Sequence, residues 1–138
     1  MKTLIVNGTL VNEGQTQQAD LLIVNGRIQK IGKDLQSSEA DKVIDAAGKY
    51  ILPGMIDDQV HFREPGLTHK GGLQTESRAA VAGGITSFMD MPNVKPPTVT
   101  LKALEEKFAL AQGKCAANYA FYMGATNDNL DELRGLKN

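Results

Sequence analysis

Short β-prone runs separated by turn residues dominate the first third of the chain. The pentapeptide Leu-Ile-Val-Asn-Gly occurs at residues 4–8 and again at 22–26, and in both copies Asn-Gly is a strong hairpin-turn signal. We therefore predict two hairpins, over residues 3–12 and 22–31, in one small antiparallel sheet. The pattern also predicts a polar linker at 12–19, a polar loop at 32–41, and short strands at 43–45 and 50–52.

From residue 53 onward, apolar strands alternate with amphipathic helices. Strands are predicted at 55–62, 85–91 and 118–124, and helices at 69–82, 98–111 and 127–136. The second helix is expected to bury one stripe and to expose the opposite side; the stripe is Leu101, Leu104, Phe108 and Ala111, and the exposed side is Lys102, Glu105, Glu106 and Lys107. Because strands joined by helices pair in parallel through right-handed crossovers, this order predicts an α/β fold.

Three strand–helix units are too few for a closed (β/α)8 barrel, which needs roughly 250 residues. The chain has 138 residues, so we interpret it as the front part of a longer protein. The alternative is a compact three-stranded domain, but its sheet would have uncovered edges, which are prone to aggregation.

Composition and charge narrow the function classes without selecting one. The chain is 41% hydrophobic and 22% charged with a net charge of -1, which is typical of a soluble globular protein and lacks the basic surface that nucleic acid requires. No apolar run is long enough to span a membrane and none resembles a signal peptide, so we expect a cytoplasmic protein. The single cysteine, Cys115, excludes an internal disulfide and is expected to be a buried or inert thiol.

The candidate chemistry lies on the first predicted strand after residue 53. Asp57, Gln59, His61 and Arg63 occupy alternate positions, and alternate side chains of a strand share one face. An acid, an amide, an imidazole and a guanidinium in one row do not suit an apolar core. The row favours a metal or an anionic ligand, although a lone histidine on a strand is more often structural.

Two further positions extend this candidate site. Arg63 opens the following loop, where its guanidinium can bind a carboxylate bidentately; a solvated arginine paired with Glu64 is the alternative. Asn93 follows the second predicted strand at the same edge of the sheet, and its amide can donate and accept; a loop-capping residue is the alternative. His61 suits zinc, whereas His69 is expected at the start of a helix, where we do not expect it to bind metal.

Several stretches of the sequence resemble a known enzyme family. Residues 48–57, Gly-Lys-Tyr-Ile-Leu-Pro-Gly-Met-Ile-Asp, resemble the signature that opens the barrel in the amidohydrolase superfamily. Three further stretches are similar to dihydroorotases of the cyclic-amidohydrolase group: residues 59–66 with 68–70, residues 77–86, and residues 91–93 with 96–98. The resemblance implies a small β-sandwich formed partly by residues 1–52. It also implies a (β/α)8 barrel that begins in residues 53–138 and is truncated.

The resemblance also implies roles for single residues. In the family the first barrel strand carries His-x-His, whose histidines bind zinc, and His61 matches the second of them. Arg63 and Asn93 match residues that hold the carboxylate of dihydroorotate beside His61, and Asp57 is expected to support the site. Gln59 stands where the first histidine is expected, and its neutral amide oxygen is a poorer zinc ligand. One or two zinc ions are implied for the full-length protein, held more weakly here.

The implied reaction is the reversible hydrolysis of (S)-dihydroorotate to N-carbamoyl-L-aspartate in de novo pyrimidine biosynthesis. It implies a full-length homodimer that acts on a small molecule, without nucleic-acid or membrane partners. The catalytic carboxylate and the other histidines of the family are absent from this chain, so we assign no catalytic residue within it and expect the isolated chain to be inactive. Two alternatives stay open: a non-catalytic dihydroorotase-like scaffold partner, which Gln59 favours, and an allantoinase or hydantoinase, which Arg63 disfavours.

Overall fold

The computed structural model describes residues 1–36 and 40–136, so residues 37–39 of the predicted polar loop lie outside the described part. The chain divides into two compact units, Met1–Pro53 and Gly54–Asn138. The first contains β1 (Lys2–Asn12), β2 (Gln15–Val24), β3 (Arg27–Gly32), β4 (Lys42–Asp45) and β5 (Tyr50–Ile51). The second contains β6 (Met55–Val60), α1 (Leu73–Ala82), β7 (Ile85–Asp90), α2 (Leu101–Ala111), β8 (Asn118–Phe121) and α3 (Leu130–Arg134).

The first unit is built on one mixed sheet. Its strands are ordered β3-β2-β1-β4, and β5 also pairs with β1. Neighbours among β1, β2 and β3 are antiparallel, whereas β4 and β5 run parallel to β1. Leu10, Ala19 and Leu21 form its buried core. The described residues of this unit form a single sheet, so the β-sandwich stays a prediction.

The repeated pentapeptide adopts two different structures. In the second copy, Asn25 and Gly26 have φ angles of 50° and 78° and form the turn between β2 and β3, which confirms that hairpin. In the first copy the predicted hairpin is wrong, because β1 continues through a bulge between Ile5 and Gly8. The turn that joins β1 to β2 falls instead at residues 13–14, within the predicted polar linker.

Contacts with distant residues explain the bulge. Asn7 has a φ of 61°, and its backbone N–H donates to Asp20 Oδ1 at 3.0 Å. Its side-chain Nδ2 donates to Asp45 Oδ1 at 3.0 Å. The next residue, Gly8, lies so close to the Ile51 side chain that a Cβ at this position would overlap it. The first Asn-Gly is therefore held inside the sheet by contacts with distant residues that the second copy does not make.

The second unit confirms the predicted alternation of strands and helices. β6, β7 and β8 form a parallel sheet in that order. Helices α1 and α2 pack on the face of the sheet that carries Phe88, where the buried core is Val60, Phe62, Leu73, Phe88, Ala111 and Phe121. The closed (β/α)8 barrel stays a prediction. Within the described residues, every helix is too short or too polar to cross a membrane.

All three helices begin later than the hydrophobic pattern predicts, and α3 begins at Leu130 instead of residue 127. Helix α1 begins at Leu73, because its cap residue Gly72 has extended backbone. Helix α2 begins at Leu101, after Thr100, whose side-chain oxygen accepts a hydrogen bond from the Ala103 N–H at 3.1 Å. Both starts place the preceding loops, rather than helical turns, beside the carboxyl ends of the strands.

One residue of α2 contradicts the predicted polar face. Lys107 is 1% exposed, whereas its position in the pattern predicts a solvated side chain. Its Nζ lies 2.8 Å from Oδ2 of Asp90, which is also completely buried. Phe108, predicted to be in the buried stripe, is 41% exposed. The prediction is wrong because a countercharge on β7 draws Lys107 into the core.

Candidate functional site

The predicted row of polar side chains is broken by an irregularity in β6. Asp57 pairs with Phe88, but Val60 pairs with Asp90, so three steps on β6 match two steps on β7. The Asp57 Oδ1 accepts a hydrogen bond from the Gln59 N–H at 3.1 Å and stabilises this bulge. Because one extra residue reverses the faces of all that follow, the prediction that Asp57 shares a face with the rest of the row is wrong.

The structure brings His61 and Asn93 into contact. His61 directly follows β6, Asn93 lies in the loop after β7, and the His61 Nδ1 is 2.8 Å from the Asn93 Oδ1. An amide oxygen only accepts, so this contact requires the imidazole proton on Nδ1 and leaves the lone pair on Nε2. Both residues are exposed. The pair therefore presents an imidazole nitrogen and an amide N–H2 at the carboxyl edge of the sheet.

Arg63 lies in the same loop as His61 and is half-buried. Its φ of 65° is unusual for a residue with a side chain. Its carbonyl accepts a hydrogen bond from the Leu67 N–H at 3.0 Å, which closes a tight turn. Among the residues that the structure describes, the guanidinium has no hydrogen bond or ion pair, and it is not paired with Glu64. A guanidinium held in this way is available to an anionic ligand.

Glu64 anchors the loop that carries Arg63. Its Oε2 accepts a hydrogen bond from the Leu73 N–H, at the start of α1, at 2.9 Å, and its Oε1 lies 2.9 Å from the Lys114 Nζ. Burial alone would raise the pKa of Glu64, but the hydrogen bonds from Lys114 and Leu73 and the Lys114 charge together lower that pKa below its ordinary value. Glu64 is thus an ionised anchor between the start of α1 and the turn that follows α2.

The loop of Arg63 is also joined to the loop of Asn93. The Lys95 N–H donates to the Pro65 carbonyl at 3.1 Å. Gly66 has a φ of 79°, and a Cβ at this position would overlap the Lys95 carbonyl oxygen. Only glycine permits this close approach of two backbones. The two loops therefore form one support for the candidate site.

Below these loops lies a completely buried ion pair. The Asp90 Oδ1 accepts a hydrogen bond from the Phe62 N–H at 2.9 Å, and its Oδ2 is 2.8 Å from the Lys107 Nζ. Lys107 also donates to the Met91 carbonyl at 3.0 Å, and its Nζ lies 4.9 Å from the centroid of the Phe121 ring. The pair connects the backbones of both loops with α2.

A shallow cavity of about 420 Å³ opens at the carboxyl ends of the strands. Its lining is Asp58, Gln59, Met91, Pro92, Tyr122, Met123, Gly124 and Ala125. Of the residues predicted for the candidate site, only Gln59 belongs to this lining, which does not include His61, Arg63 or Asn93. Asp58 and Tyr122 also line the cavity and were not predicted. Tyr122 directly follows β8, so the rule that selected Asn93 after β7 would have found it. Asp58 faces the cavity because of the bulge, which the alternating pattern does not reveal.

The described residues do not by themselves fit a zinc site. No group of three histidine, cysteine, aspartate or glutamate side chains gathers anywhere in residues 1–36 and 40–136. His61 offers one imidazole, and Gln59 offers an amide oxygen that zinc accepts poorly. His69 precedes α1 by several residues and is exposed. No chemical step can therefore be assigned to a metal from this part of the chain.

Cys115 lies in the turn after α2 and is half-buried. Burial raises the pKa of its thiol above the ordinary value, and a hydrogen bond with Ser77 offsets only part of that rise. Reactive cysteines have a lowered pKa. The surroundings of Cys115 therefore agree with an inert thiol and not with a nucleophile.

Comparison with known proteins places the chain in a family. A family model described as Dihydro-orotase-like matches residues 48–133. Similar proteins include a dihydroorotase from Methanosarcina acetivorans, 44% identical over 132 residues, and an allantoinase from Salmonella choleraesuis, 41% identical over 134 residues. Each alignment covers 96% of this chain but only 28% and 29% of the relative, respectively. The chain belongs to the dihydro-orotase-like family and spans less than a third of the length of these relatives.

Solved structures of related proteins have the same fold over this region. An L-hydantoinase (dihydropyrimidinase) from Arthrobacter aurescens superposes with a TM-score of 0.90 at 35% identity, over 96% of this chain and 30% of its own. A dihydropyrimidinase from Brevibacillus agri superposes with a TM-score of 0.82 at 37% identity, over the same shares of the two chains. The names of these relatives thus cover three kinds of cyclic-amide hydrolase: dihydroorotase, allantoinase and hydantoinase.

Proposed function

We propose that this chain supplies the substrate-orienting part of a cyclic-amide hydrolase. The intact protein that carries it would catalyse the reversible hydrolysis of (S)-dihydroorotate to N-carbamoyl-L-aspartate. The observation that carries the proposal is the contact of 2.8 Å between His61 and Asn93, with Arg63 in the same loop as His61 and its guanidinium without a polar partner among the described residues. Family membership supports the reaction class, and Arg63 supports a substrate with a carboxylate.

The geometry suggests how the chain's own residues would hold such a substrate. Arg63 would bind the carboxylate through two parallel hydrogen bonds. Asn93 uses its Oδ1 to accept from His61, and among the described residues its Nδ2 has no acceptor, so it can donate to the same carboxylate. His61 is held in one tautomer with Nε2 available. The anchors Glu64 and Asp90 would keep these groups in place before the substrate arrives.

We propose zinc binding for the intact protein only, and not for the 138-residue chain by itself. A complete centre needs ligands that the described residues do not provide, so we propose that the 138-residue chain alone has no activity. We also propose that Gln59 weakens the metal nearest His61. Metal analysis of the intact protein and of its Gln59→His variant should show higher zinc content in the variant. Equal zinc content in the two proteins would contradict this role of Gln59.

The test of the substrate is an assay of the intact protein with dihydroorotate, allantoin and hydantoin. We expect the highest kcat/KM for dihydroorotate. Arg63→Gln should lower that kcat/KM by about 10- to 150-fold, since a hydrogen bond to a charged group contributes about 1.5–3 kcal/mol. Arg78→Gln is the matched control, because Arg78 is exposed on α1 and has no polar partner among the described residues. Equal losses in both variants would refute the assignment of Arg63.

An allantoinase is the second candidate, because the allantoinase relative is nearly as similar as the dihydroorotase relative, at 41% and 44% identity. A higher kcat/KM for allantoin, with little effect of Arg63→Gln, would favour it. A non-catalytic scaffold is the third candidate, and Gln59 is its support. Absence of turnover with all three substrates, in an intact protein that contains no metal, would favour the scaffold.

A further inference from the structure

The contact between His61 and Asn93 depends on two loops that lie beyond the regular sheet. β6 ends at Val60 and β7 ends at Asp90, so neither residue is held by strand pairing. One backbone bond continues past these ends, from the Met91 N–H to the Val60 carbonyl at 2.9 Å. The bond from the Lys95 N–H to the Pro65 carbonyl at 3.1 Å joins the two loops further along. Between these two bonds, side chains hold the backbone directly after His61 and two residues before Asn93.

Asp90 holds the backbone next to His61. Its Oδ1 accepts from the N–H of Phe62, the residue that directly follows His61, at 2.9 Å. Phe62 is 8% exposed and Asp90 is 0% exposed, so water cannot replace this acceptor. A buried backbone N–H beyond the end of a strand needs such a partner.

Lys107 holds the backbone before Asn93. Its Nζ donates to the carbonyl of Met91, two residues ahead of Asn93, at 3.0 Å. The same Nζ lies 2.8 Å from the Asp90 Oδ2, so the two side chains act as one link. This link joins the residue after His61 to Met91, two residues before Asn93.

Stability alone does not account for a buried pair at this place. Replacing a buried ion pair by apolar side chains of similar volume is often neutral or stabilising. Apolar side chains, however, cannot accept from the Phe62 N–H or donate to the Met91 carbonyl. We propose that Asp90 and Lys107 are positioning residues that set the separation of His61 and Asn93, and through it the tautomer of His61. The proposal deepens the proposed function, since it concerns the same site.

The test is the tautomer of His61 in the 138-residue chain, read from long-range ¹H–¹⁵N spectra at alkaline pH, where imidazoles are neutral. In the wild type His61 should carry its proton on Nδ1. In the double variant Asp90→Leu, Lys107→Met the proton should move to Nε2, as it should in Asn93→Ala. His69 is exposed and serves as an internal reference in every spectrum. The matched control is the double variant Lys102→Met, Glu106→Leu, which removes an exposed pair from the same helix and should leave His61 unchanged.

A folded double variant that keeps the Nδ1 proton overturns the proposal. If the variant does not fold, amide exchange in the wild type decides. The Phe62 N–H should exchange at least about 100-fold more slowly than in an unstructured chain, because its acceptor is buried. Exchange at the unstructured rate overturns the proposal. Neither readout involves a substrate, so a failure here is separate from a failure to hydrolyse dihydroorotate.

Discussion

The two units of the molecule bury aspartates in different ways. In the first unit Asp20 is 9% exposed and accepts two backbone hydrogen bonds, from Asn7 at 3.0 Å and from Leu35 at 3.1 Å. In the second unit Asp90 is 0% exposed, accepts one backbone hydrogen bond and forms an ion pair with Lys107. Each carboxylate supports irregular backbone: a bulge in one case and the end of a strand in the other.

The difference shows how depth of burial determines the partners that a carboxylate needs. Some solvent and two N–H groups are enough for Asp20. Complete burial at Asp90 is tolerable only with a countercharge, because removing an ion from water costs several kcal/mol. Lys107, the countercharge, in turn donates a hydrogen bond to the Met91 carbonyl, so Asp90 is connected through Lys107 to a second loop. That loop carries Asn93 of the candidate site, whereas the bulge beside Asp20 contains no residue of the candidate site.

The largest expected effect follows from removing the countercharge. Lys107→Met should lower the free energy of unfolding by about 3–5 kcal/mol, because it leaves the Asp90 carboxylate buried without a cation. The double variant Asp90→Leu, Lys107→Met should recover only part of that loss, because it removes the uncompensated charge but leaves the buried Phe62 N–H without its acceptor. Urea denaturation at pH 7 measures both.

The matched control is Lys102→Met on the same helix. Lys102 forms an exposed pair with Glu106 at 3.9 Å, and such pairs contribute about 0.3–0.5 kcal/mol. If Lys107→Met costs no more than Lys102→Met, the countercharge is unimportant. Asp90 and Asp20 would then not differ in their need for a countercharge.

A smaller loss is expected at the other aspartate. Asp20→Ala should lower the free energy of unfolding by about 2–3 kcal/mol, because the N–H groups of Asn7 and Leu35 lose a charged acceptor. Asp20→Asn keeps one oxygen acceptor and should lose roughly half as much. Equal stability of the wild type and Asp20→Ala in urea denaturation would show that solvent replaces the carboxylate.

The same long-range contacts explain which parts of the fold were predictable from the sequence. The alternation of strands and helices after residue 53, and the hairpin at Asn25, depend on local patterns and were predicted. The hairpin at Asn7 was wrong, although the pentapeptide is identical, because Asp20 and Asp45 hold that copy inside the sheet. Lys107 was wrong for a similar reason, since its partner lies on another element. The pattern of residues within one segment does not reveal an interaction partner that lies on another segment.

The candidate site divides in the same way. His61 and Asn93 were assigned to one edge of the sheet by the rule for parallel strands, and the structure brings them within 2.8 Å. The alternating row failed at Asp57, because a bulge adds a residue that alternation does not anticipate. The anchoring roles of Glu64 and Asp90 were not predicted, because both depend on backbone N–H groups of other segments.

Glu64 is an intermediate case between the two buried aspartates. It has the partner types of Asp90, one backbone N–H and one lysine, but its side chain is 16% exposed. Its pKa is lowered from 4.5, so its stabilising contribution is complete above that value and is lost as pH falls through the lower pKa of the folded state. Glu64→Gln should therefore be less stable than the wild type by about 1 kcal/mol at pH 7, with the difference shrinking below about pH 4.5.

Urea denaturation of both proteins between pH 7 and pH 3 measures this difference. Glu105→Gln is the control, because Glu105 is exposed on α2 and has no polar partner among the described residues. Its difference from the wild type should stay near zero throughout. A difference for Glu64→Gln that persists unchanged at pH 3 would mean that its ionisation is not what anchors the loop.

The smallest effect is expected at Asp45, an exposed carboxylate that accepts hydrogen bonds but is also accessible to water. The pKa of Asp45 is lowered first by the hydrogen bond from the Asn7 side chain and then by that from the Ala47 N–H. Asn7→Ala should move the Asp45 titration, followed by carboxyl ¹³C shifts, back up toward 3.8. Asn25→Ala changes the same residue in the second pentapeptide and should not move it. If both variants leave the Asp45 titration unchanged, the bond to Asn7 does not persist in solution, and Asp20 with the close packing of Gly8 on Ile51 must hold the bulge that separates the two copies.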